Sequence, residues 1–174
     1  STTFASVRYG NVIASRGSFI PLWLSLIEDN KKIKVTSLEC SRFLFTLEDA
    51  VDTVLSSLEL SEGGEIFIPK IKSYTMKTTI EAVKRISNSS QLEYDIIGLR
   101  PGEKIHEDML SKTELPFTYE ATKKLLVVKP QYTNREHSYK NKYTGKEFNS
   151  GLHVSDNAEE LVKLVQRGLS ETEY

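Results

Sequence analysis

Residues 65–98 read EIFIPKIKSYTMKTTIEAVKRISNSSQLEYDIIG, and this stretch decides the fold class. EIFIP (65–69) is a short apolar run between a glycine pair and a lysine, which is typical of a strand. TMKTTIEAVKRIS (75–87) has the apolar spacing of a helix, and LEYDIIG (92–98) is again typical of a strand. A strand, a helix and a strand in this order predict a right-handed parallel crossover and therefore an α/β fold.

The sequence before this stretch adds further elements of both kinds. Thr3–Val12 (TFASVRYGNV) is rich in β-branched and aromatic residues and ends in Gly-Asn, which predicts a strand running into a loop. Phe19–Asn30 (FIPLWLSLIEDN) predicts an amphipathic helix because its apolar residues recur at helical spacing. Two short strands are predicted next, IKVT (33–36) and RFLFT (42–46).

Two further helices carry N-terminal capping signals. Thr46 with Asp49 predicts a capping box at the start of TLEDAVDTVLSSLEL. The apolar residues of this helix predict one buried stripe, formed by Leu47, Val51, Val54, Leu55 and Leu58. Ser155 or Asn157 is expected to cap a final amphipathic helix, AEELVKLVQRGL.

Composition limits the class of protein. The 174 residues are 39% hydrophobic and 27% charged, without an apolar run long enough for a bilayer, which predicts a soluble globular chain with no membrane span. Lys and Arg number 23 against 24 for Asp and Glu, so no overall basic field predicts nucleic acid as a partner. The lone Cys40 excludes an internal disulfide framework and favours a cytoplasmic location. His106, His137 and His153 are far apart in sequence, and we expect no metal site.

Arg100–Glu107 (RPGEKIHE) is the segment richest in chemistry. The residue before a proline is held extended and Gly102 lets a ligand approach the main chain, so the Arg100 guanidinium can fork onto phosphate oxygens. A short helix predicted to begin at Glu103 would add free N–H groups for the same anion. We therefore expect a diphosphate site, with Glu103 accepting hydrogen bonds from ribose hydroxyls. The alternative is a surface turn in which Arg100 pairs with Glu103 or Glu107.

Other polar positions suit the same anion. Arg42 begins the RFLFT run, and a second arginine would balance the two charges of a nucleotide diphosphate. Asn11 follows the first strand, at the edge where parallel sheets bind ligands. Ser15–Ser18 (SRGS) is a polar loop before a helix, which also suits an anion. The plainer alternatives are a solvated charge for Arg42 and an ordinary turn residue for Asn11.

Four segments in this order resemble one family: RYGNVIASRGSFIPLW, VTSLECSRFLFTLEDAVD, GGEIFIPK and GLRPGEKIHEDM. They are similar to the C-terminal half of the polysaccharide-biosynthesis extended short-chain dehydrogenases/reductases, the UDP-N-acetylglucosamine 4,6-dehydratases and related nucleotide-sugar epimerases. The resemblance implies the C-terminal part of a Rossmann-like fold, with the last parallel strand or strands and a small substrate-binding lobe. Residues 1–120 would be the substrate-binding portion, and residues 121–174 a C-terminal extension with a terminal helix.

The resemblance also implies roles for particular residues, grouped by the part of a UDP-sugar that they would touch. These are Asn11, Arg42 and Arg100 for the diphosphate or its sugar, Glu103 for the ribose, Ser18 and Phe19 for the substrate pocket, and Val35 and Thr36 for the uracil. The backbone at Gly10 would approach the nicotinamide of NAD or NADP.

Part of the family's machinery is missing from the chain. No G-x-x-G-x-x-G loop for a dinucleotide occurs, and the family's catalytic Tyr and Lys precede its RYGNV-like strand. Tyr119 and Lys123 have the Tyr-x-x-x-Lys spacing but follow RPGEK, in a structural segment leading to the strand LLVVKP. We expect no catalytic residue here, and an N-terminal half that completes a homo-oligomeric enzyme. Residues 131–151 predict mostly loop, and their aromatic and basic residues favour a covering loop or an oligomer contact.

In the intact enzyme that the resemblance implies, C4 of the sugar is oxidised, water leaves from C6 and hydride returns, with or without inversion at C5. Two alternatives stay open. One is 4-epimerisation by an enzyme of the same family, and the other is a non-catalytic UDP-sugar-binding or interaction module.

Overall fold

A computed structural model describes residues 2–89, 92–131 and 136–172. The helices within these ranges are α1 (Phe19–Glu28), α2 (Leu47–Leu60), α3 (Met76–Ile86) and α4 (Ala158–Ser170). The strands are β1 (Ser6–Val7), β2 (Asn11–Val12), β3 (Ile33–Val35), β4 (Ser41–Phe45), β5 (Ile66–Pro69), β6 (Ser73–Thr75), β7 (Tyr94–Ile96), β8 (Asp108–Leu110), β9 (Thr118–Glu120), β10 (Leu125–Val128) and β11 (Phe148–Asn149).

The strands form several small sheets that combine parallel and antiparallel pairs. The largest has the order β1-β5-β10-β9, with β1 and β5 parallel and β10 antiparallel to both of its neighbours. A second sheet has the order β2-β4-β6, in which β2 and β4 are parallel. β3 pairs in parallel with β7, and β8 pairs antiparallel with β11. The predicted α/β class is therefore confirmed.

The predicted crossover from EIFIP to LEYDIIG within one sheet is wrong. β5 pairs with β1 and β10, whereas β7 pairs with β3, with Val35 opposite Ile96. β6 was not predicted from the sequence; it lies between β5 and α3 and pairs with β4. Because β6 directs the chain into a different sheet before α3 begins, α3 leads to a different partner strand.

The single strand predicted for Thr3–Val12 is also wrong, because the chain changes sheets within it. Ser6 and Val7 pair with β5, whereas Asn11 and Val12 pair with β4. Gly10 lies at the change, and a Cβ there would be 2.5 Å from Cβ of Phe43 and 2.6 Å from its carbonyl oxygen. The close approach of the two backbones thus requires glycine.

The capping prediction for α2 is confirmed, but the predicted buried stripe is wrong. The Thr46 side chain accepts a hydrogen bond from the Asp49 N–H, and the Asp49 carboxylate accepts one from the Thr46 N–H. Ala50 and Ser57 are the buried residues of this helix. The residues of the predicted stripe, which we call the α2 apolar face, are between 44% and 74% exposed: Leu47, Val51, Val54, Leu55 and Leu58.

The C-terminal residues are integrated with those before residue 120. β10 pairs with β5 at four positions, and α4 packs against α3. Asn157 is the N-cap of α4, with its side chain accepting from the Glu160 N–H, which confirms one of the two predicted caps. The division at residue 120 falls between the paired strands β9 and β10 and stays a prediction. In the described ranges, no helix combines the length and hydropathy needed to cross a membrane.

Candidate functional site

Arg42 projects from β4, and four groups hold its guanidinium. Three belong to the RPGEKIHE segment, and the fourth is the carbonyl of Ser41. The Arg42 side chain is only 12% exposed. The guanidinium donates to the Glu103 carboxylate at 3.1 Å and lies 3.5 Å from that of Glu107. Nη1 also donates to the carbonyl oxygens of Ser41 at 2.8 Å and Ile105 at 3.1 Å. Arg42 is therefore a half-buried, preorganised cation and not a solvated strand-end charge.

The Pro101–Gly102 turn places Glu103 between two arginines. Gly102 has φ +82°, a conformation that favours glycine, and the Glu103 N–H donates to the Arg100 carbonyl at 2.9 Å. The Glu103 carboxylate accepts from the Arg100 backbone N–H at 3.2 Å while it accepts from Arg42. The turn thus fixes the RPGEK segment against β4.

The helix predicted to begin at Glu103 is wrong, because the turn leads to irregular chain with a bend at residues 105–106 and then to β8. The free N–H groups of a helix start are therefore not available to an anion here. The alternative in which Arg100 pairs with Glu103 or Glu107 is also wrong for the side chain of Arg100. Both carboxylates form ion pairs with the Arg42 guanidinium instead. Within the described ranges, the exposed Arg100 guanidinium has neither a hydrogen bond nor an ion pair.

Glu107 is a missed member of this cluster. Burial raises its pKa above the ordinary value, although the Arg42 guanidinium and the Phe43 N–H both act in the opposite direction. The sequence analysis considered Glu107 only as a partner of Arg100. Its position four residues after Glu103 was the available signal, but the partner on β4 could not be read from spacing.

Asn11, Ser18 and Phe19 lie around one cavity of about 350 Å³, whose wall also includes Leu44 of β4. Ser18 is the N-cap residue of α1, but its side chain makes no capping hydrogen bond. Its buried hydroxyl oxygen has no hydrogen-bond partner in the described chain. A buried hydroxyl without a partner is costly, and a ligand in the cavity would satisfy it.

The predicted uracil residues lie at the end of β3. Val35 is buried at 1% exposure, and the Thr36 hydroxyl lies 3.8 Å from the sulfur of Cys40. Cys40 is itself fully buried. Val35 is opposite Ile96 of β7, and the chain reaches Arg100 four residues after Ile96. The parallel pair β3 and β7 therefore brings Val35 near the start of the RPGEK segment.

Register connects the cavity with the arginine cluster. Asn11 is opposite Leu44, and Leu44 lines the cavity. Arg42 and Leu44 are two residues apart on β4, so their side chains leave the same face of the strand about 7 Å apart. β4 thus carries Arg42 and one residue of the cavity wall, Leu44, on the same face.

Gly10 packs closely against Phe43 of β4. Phe43 fills the space where its side chain would be, so packing already accounts for the glycine. The approach of Gly10 to a nicotinamide stays a prediction.

A second polar cluster, Glu62, Glu65 and His137, was missed. His137 is not in a solvated loop, because its side chain is 2% exposed and Nδ1 lies 3.2 Å from Glu65 and 3.4 Å from Glu62. The ligand atoms of the three residues lie within 4.8 Å of one another, the spacing of a metal site. Both carboxylates already accept backbone N–H groups, and Nε2 of His137 is buried without a partner in the described chain. The contacts of His137 with Glu62 and Glu65 hold its segment against the turn before β5.

Tyr119 lies in a strand, and its lack of a catalytic role stays a prediction. Thr118–Glu120 is strand β9, which leads to β10 as predicted. The Tyr119 ring lies beneath the ammonium groups of Lys129 at 4.1 Å and Lys142 at 4.6 Å. Of the aromatic residues predicted to form a covering loop, Tyr132 lies outside the described residues.

The matching family can now be identified. Residues 1–130 match the family described as "Polysaccharide biosynthesis protein". The chain belongs to this family, which confirms the resemblance. The UDP-N-acetylglucosamine 4,6-dehydratase (inverting) of Campylobacter jejuni is 43% identical over 120 residues, 68% of this chain and 34% of that protein. The UDP-glucose 4-epimerase of Rickettsia bellii is 41% identical over 114 residues, 66% of this chain and 33% of that protein. The chain spans about a third of the length of these curated relatives.

Solved structures agree on the fold. The X-ray structure of Pen from Bacillus thuringiensis has a TM-score of 0.83 and 32% identity, covering 95% of this chain and 50% of that chain. A UDP-glucuronic acid 4-epimerase from Bacillus cereus, in complex with a fluorinated UDP-sugar and NAD, has a TM-score of 0.52 and 16% identity over 58% of this chain and 34% of that chain. The likeness confirms a Rossmann-like fold.

Proposed function

We propose that this chain provides the nucleotide-sugar-binding part of a UDP-N-acetylglucosamine 4,6-dehydratase that makes sugars for surface polysaccharides or glycans. The supporting observation is Arg42, which is 12% exposed and held beside the RPGEK turn through Glu103. A half-buried arginine with fixed geometry is suited to bidentate contact with a diphosphate.

Each part of the UDP-sugar is bound by a different group of residues. Arg42 and Arg100 bind the diphosphate, and Glu103 turns from Arg42 to the ribose hydroxyls when the phosphates arrive. Asn11, Ser18 and Phe19 surround the sugar, and Ser18 supplies the hydroxyl that is buried without a partner in the described chain. Val35 and Thr36 flank the uracil. These contacts fix the sugar relative to reactive groups carried elsewhere, and positioning of this kind supplies a large part of an enzyme's rate enhancement.

The cofactor of the complete enzyme is NAD or NADP, which supplies the hydride acceptor and donor when bound. This chain has no glycine-rich loop for the phosphates of the dinucleotide, and the backbone at Gly10 is its one proposed contact with the nicotinamide. Its phosphates and the catalytic groups therefore belong to the part of the protein that corresponds to the rest of the relatives.

That remaining N-terminal half docks on two adjacent features. β1 is at the edge of its sheet and pairs only with β5 among the described residues, leaving its other edge open to one more strand. α2 contacts β1, and its apolar face is exposed. The added strand and its neighbours would bury this face, since an exposed apolar patch of this kind marks an interaction surface. The complete protein is a cytoplasmic homo-oligomer.

The test is the product of the complete protein. The coding sequence upstream should encode a glycine-rich loop and a Tyr-x-x-x-Lys pair. The full-length enzyme, incubated with UDP-N-acetylglucosamine, should release a UDP-sugar lighter by one water in mass spectrometry. A UDP-sugar of unchanged mass but altered C4 configuration would instead support 4-epimerisation, which the Rickettsia bellii relative favours as the second candidate.

A non-catalytic UDP-sugar-binding module is a further candidate, favoured by the fact that every proposed substrate contact lies on this chain. Calorimetry separates it from an enzyme part. Tight binding of UDP-N-acetylglucosamine by the 174 residues alone would support the module, whereas weak or absent binding that becomes tight with the N-terminal half would support the enzyme.

A further inference from the structure

Ser41, His106 and Ser150 form a hydrogen-bonded group that we call the Ser41 network. The Ser41 hydroxyl lies 2.7 Å from Nδ1 of His106 and 2.6 Å from the Ser150 hydroxyl. Ser41 and Ser150 are fully buried. A Cβ at Gly151 would lie 2.8 Å from the His106 ring, so the absence of a side chain there lets the ring approach. Three segments that are distant in sequence therefore meet at two hydroxyl groups.

The network fixes the backbone on which Arg42 rests. The Glu107 N–H donates to the Ser150 hydroxyl at 2.7 Å, and the Ser150 N–H donates to the Glu107 carbonyl at 2.8 Å. The Ser41 N–H donates to the Ile105 carbonyl at 2.9 Å. The carbonyl oxygens of Ser41 and Ile105 are the two that accept from Arg42 Nη1. Losing the network would thus release both anchors of the guanidinium.

Two arrangements of the protons give every hydrogen bond of the Ser41 network one donor and one acceptor. When Nδ1 of His106 accepts, the Ser41 hydroxyl donates to it and the Ser150 hydroxyl donates to Ser41. When Nδ1 carries a proton, it donates to Ser41, Ser41 donates to Ser150, and Ser150 donates to the Ser41 carbonyl, 3.1 Å away. Only the second arrangement shares the Ser41 carbonyl between Ser150 and Arg42. The hydrogen bonding of Arg42 is therefore coupled to the ring of His106.

We propose that Ser41, His106 and Ser150 are positioning residues that hold the Arg42 guanidinium ready for a nucleoside diphosphate. The inference rests on the proposed function for its ligand, but the state of Arg42 is measurable without a ligand. None of the three touches the substrate in this proposal, since they act through the carbonyl groups beneath Arg42.

The test follows the Nε–H resonance of Arg42 in ¹⁵N spectra of the 174-residue chain, assigned by its absence from Arg42→Lys. Ser150→Ala should shift this resonance and accelerate its exchange with water about fivefold to tenfold, because Nε faces the Glu107 carboxylate at 3.5 Å and Glu107 loses the hydrogen bond that its backbone N–H donates to Ser150. Ser57→Ala is the matched control. It removes another buried serine hydroxyl, which donates to the Thr53 carbonyl within α2.

His106 gives a second pair of variants that avoids a folding defect, because the residue is exposed. His106→Ala should reproduce the effect of Ser150→Ala on Arg42. His106→Asn should restore the wild-type resonance, since its amide can occupy the place of Nδ1. If Ser150→Ala and His106→Ala leave the Arg42 resonance unchanged, or if Ser57→Ala changes it equally, the network is only structural and the proposal is overturned.

Affinity for UDP separates this proposal from the proposed function. In the complete protein, the affinity for UDP should fall about tenfold in Ser150→Ala. It should also fall in His106→Ala and recover in His106→Asn. If Arg42→Ala leaves UDP affinity unchanged while Ser150→Ala still alters the Arg42 resonance, the positioning holds and the diphosphate role of Arg42 fails. If the resonance is unaltered, the positioning itself fails.

Discussion

The Glu103 carboxylate lies 3.1 Å from the Arg42 guanidinium, although the two residues are 61 positions apart. Glu103 accepts from the Arg100 backbone at the same time. One acidic side chain therefore joins the strand that carries one proposed phosphate-binding arginine to the turn that carries the other. Glu103 also pairs with the guanidinium that the proposed diphosphate would need.

The two arginines should differ in their effect on stability but not on substrate binding. Arg42→Ala leaves two carboxylates without their cation and should lower the free energy of unfolding by about 1–3 kcal/mol. Arg100→Ala should leave it unchanged, because that guanidinium is exposed and has no partner in the described chain. In the complete enzyme, both should raise KM for the UDP-sugar about tenfold or more.

Urea unfolding and steady-state kinetics measure these effects. Arg85→Ala is the control for removal of an arginine, since Arg85 pairs with Glu81 on the exposed face of α3. An unchanged KM in Arg100→Ala would contradict the diphosphate site.

Glu103 should act as a competitor for Arg42 before the substrate binds. Glu103→Gln removes the competing charge and keeps an oxygen that can accept from ribose, so the affinity for UDP should rise severalfold at low salt. Glu103→Ala removes the acceptor as well and should weaken binding of uridine, which lacks phosphates. Calorimetry with UDP and uridine distinguishes the two effects. Glu93→Gln is the control for net charge, since Glu93 forms an exposed ion pair with Lys32. An equal increase in UDP affinity in Glu93→Gln and Glu103→Gln would refute the competition.

The sequence predicted the local features that depend on neighbouring residues. Thr46 with Asp49 formed the expected capping box, and Asn157 formed a cap, because both contacts are made within one helical turn. The motif order also identified the family, and RPGEK gave a turn at Gly102.

Pairings between distant segments were not readable from periodicity. EIFIP and LEYDIIG both form strands, but only the missed β6 explains why they belong to different sheets. Ser150 and His106 gave no signal because their contacts to Ser41 cross 109 and 65 positions. The apolar pattern of α2 was real, but the pattern predicts a face that needs a partner and does not say whether this chain supplies it.

Acid should remove a contribution that Glu65 makes to stability. Burial alone would raise its pKa, but the N–H groups of Glu62 and Gly63, with His137 nearby, hold the pKa of Glu65 below its ordinary value of 4.5. A carboxyl whose pKa is lowered on folding stabilises the folded state above its unfolded pKa, and this contribution is lost as pH falls through the folded pKa.

The difference in unfolding free energy between wild type and Glu65→Gln should therefore be largest near neutral pH and shrink below about pH 4.5. Denaturant titrations at a series of pH values measure it. Glu159→Gln changes an exposed carboxylate that pairs with Lys163 and should show little difference at any pH. A difference for Glu65→Gln that grows in acid would reverse the sign and refute this account.

The α2 apolar face should govern association and not folding. Leu58 is 74% exposed, so Leu58→Lys should leave the thermal unfolding temperature of the chain unchanged. It should reduce self-association in sedimentation velocity and weaken binding to the N-terminal half supplied as a separate polypeptide. Asp52→Asn changes the net charge by the same +1 away from that face, and it should alter neither self-association nor binding to the N-terminal half. If Leu58→Lys binds the N-terminal half as tightly as the wild-type chain does, this face is not the docking surface.

Gly10 tests whether its glycine serves packing or a cofactor. Gly10→Ala places a Cβ 2.5 Å from the Phe43 Cβ and 2.6 Å from its carbonyl oxygen, so either backbone must move. Overpacking of this kind should cost about 1–3 kcal/mol of unfolding free energy. A glycine needed only for the approach of a nicotinamide would instead be replaceable in the isolated chain without loss of stability.

Gly17 provides the comparison, because it has φ +78° and nothing lies within 4 Å of its Cβ position. Gly17→Asn should be tolerated, since asparagine adopts the left-handed region more readily than other residues. Gly10→Asn should be at least as unstable as Gly10→Ala, because the obstacle there is space and not the backbone angle. Thermal and urea unfolding of the three variants measure both effects, and wild-type stability of Gly10→Ala would favour the cofactor hypothesis for Gly10.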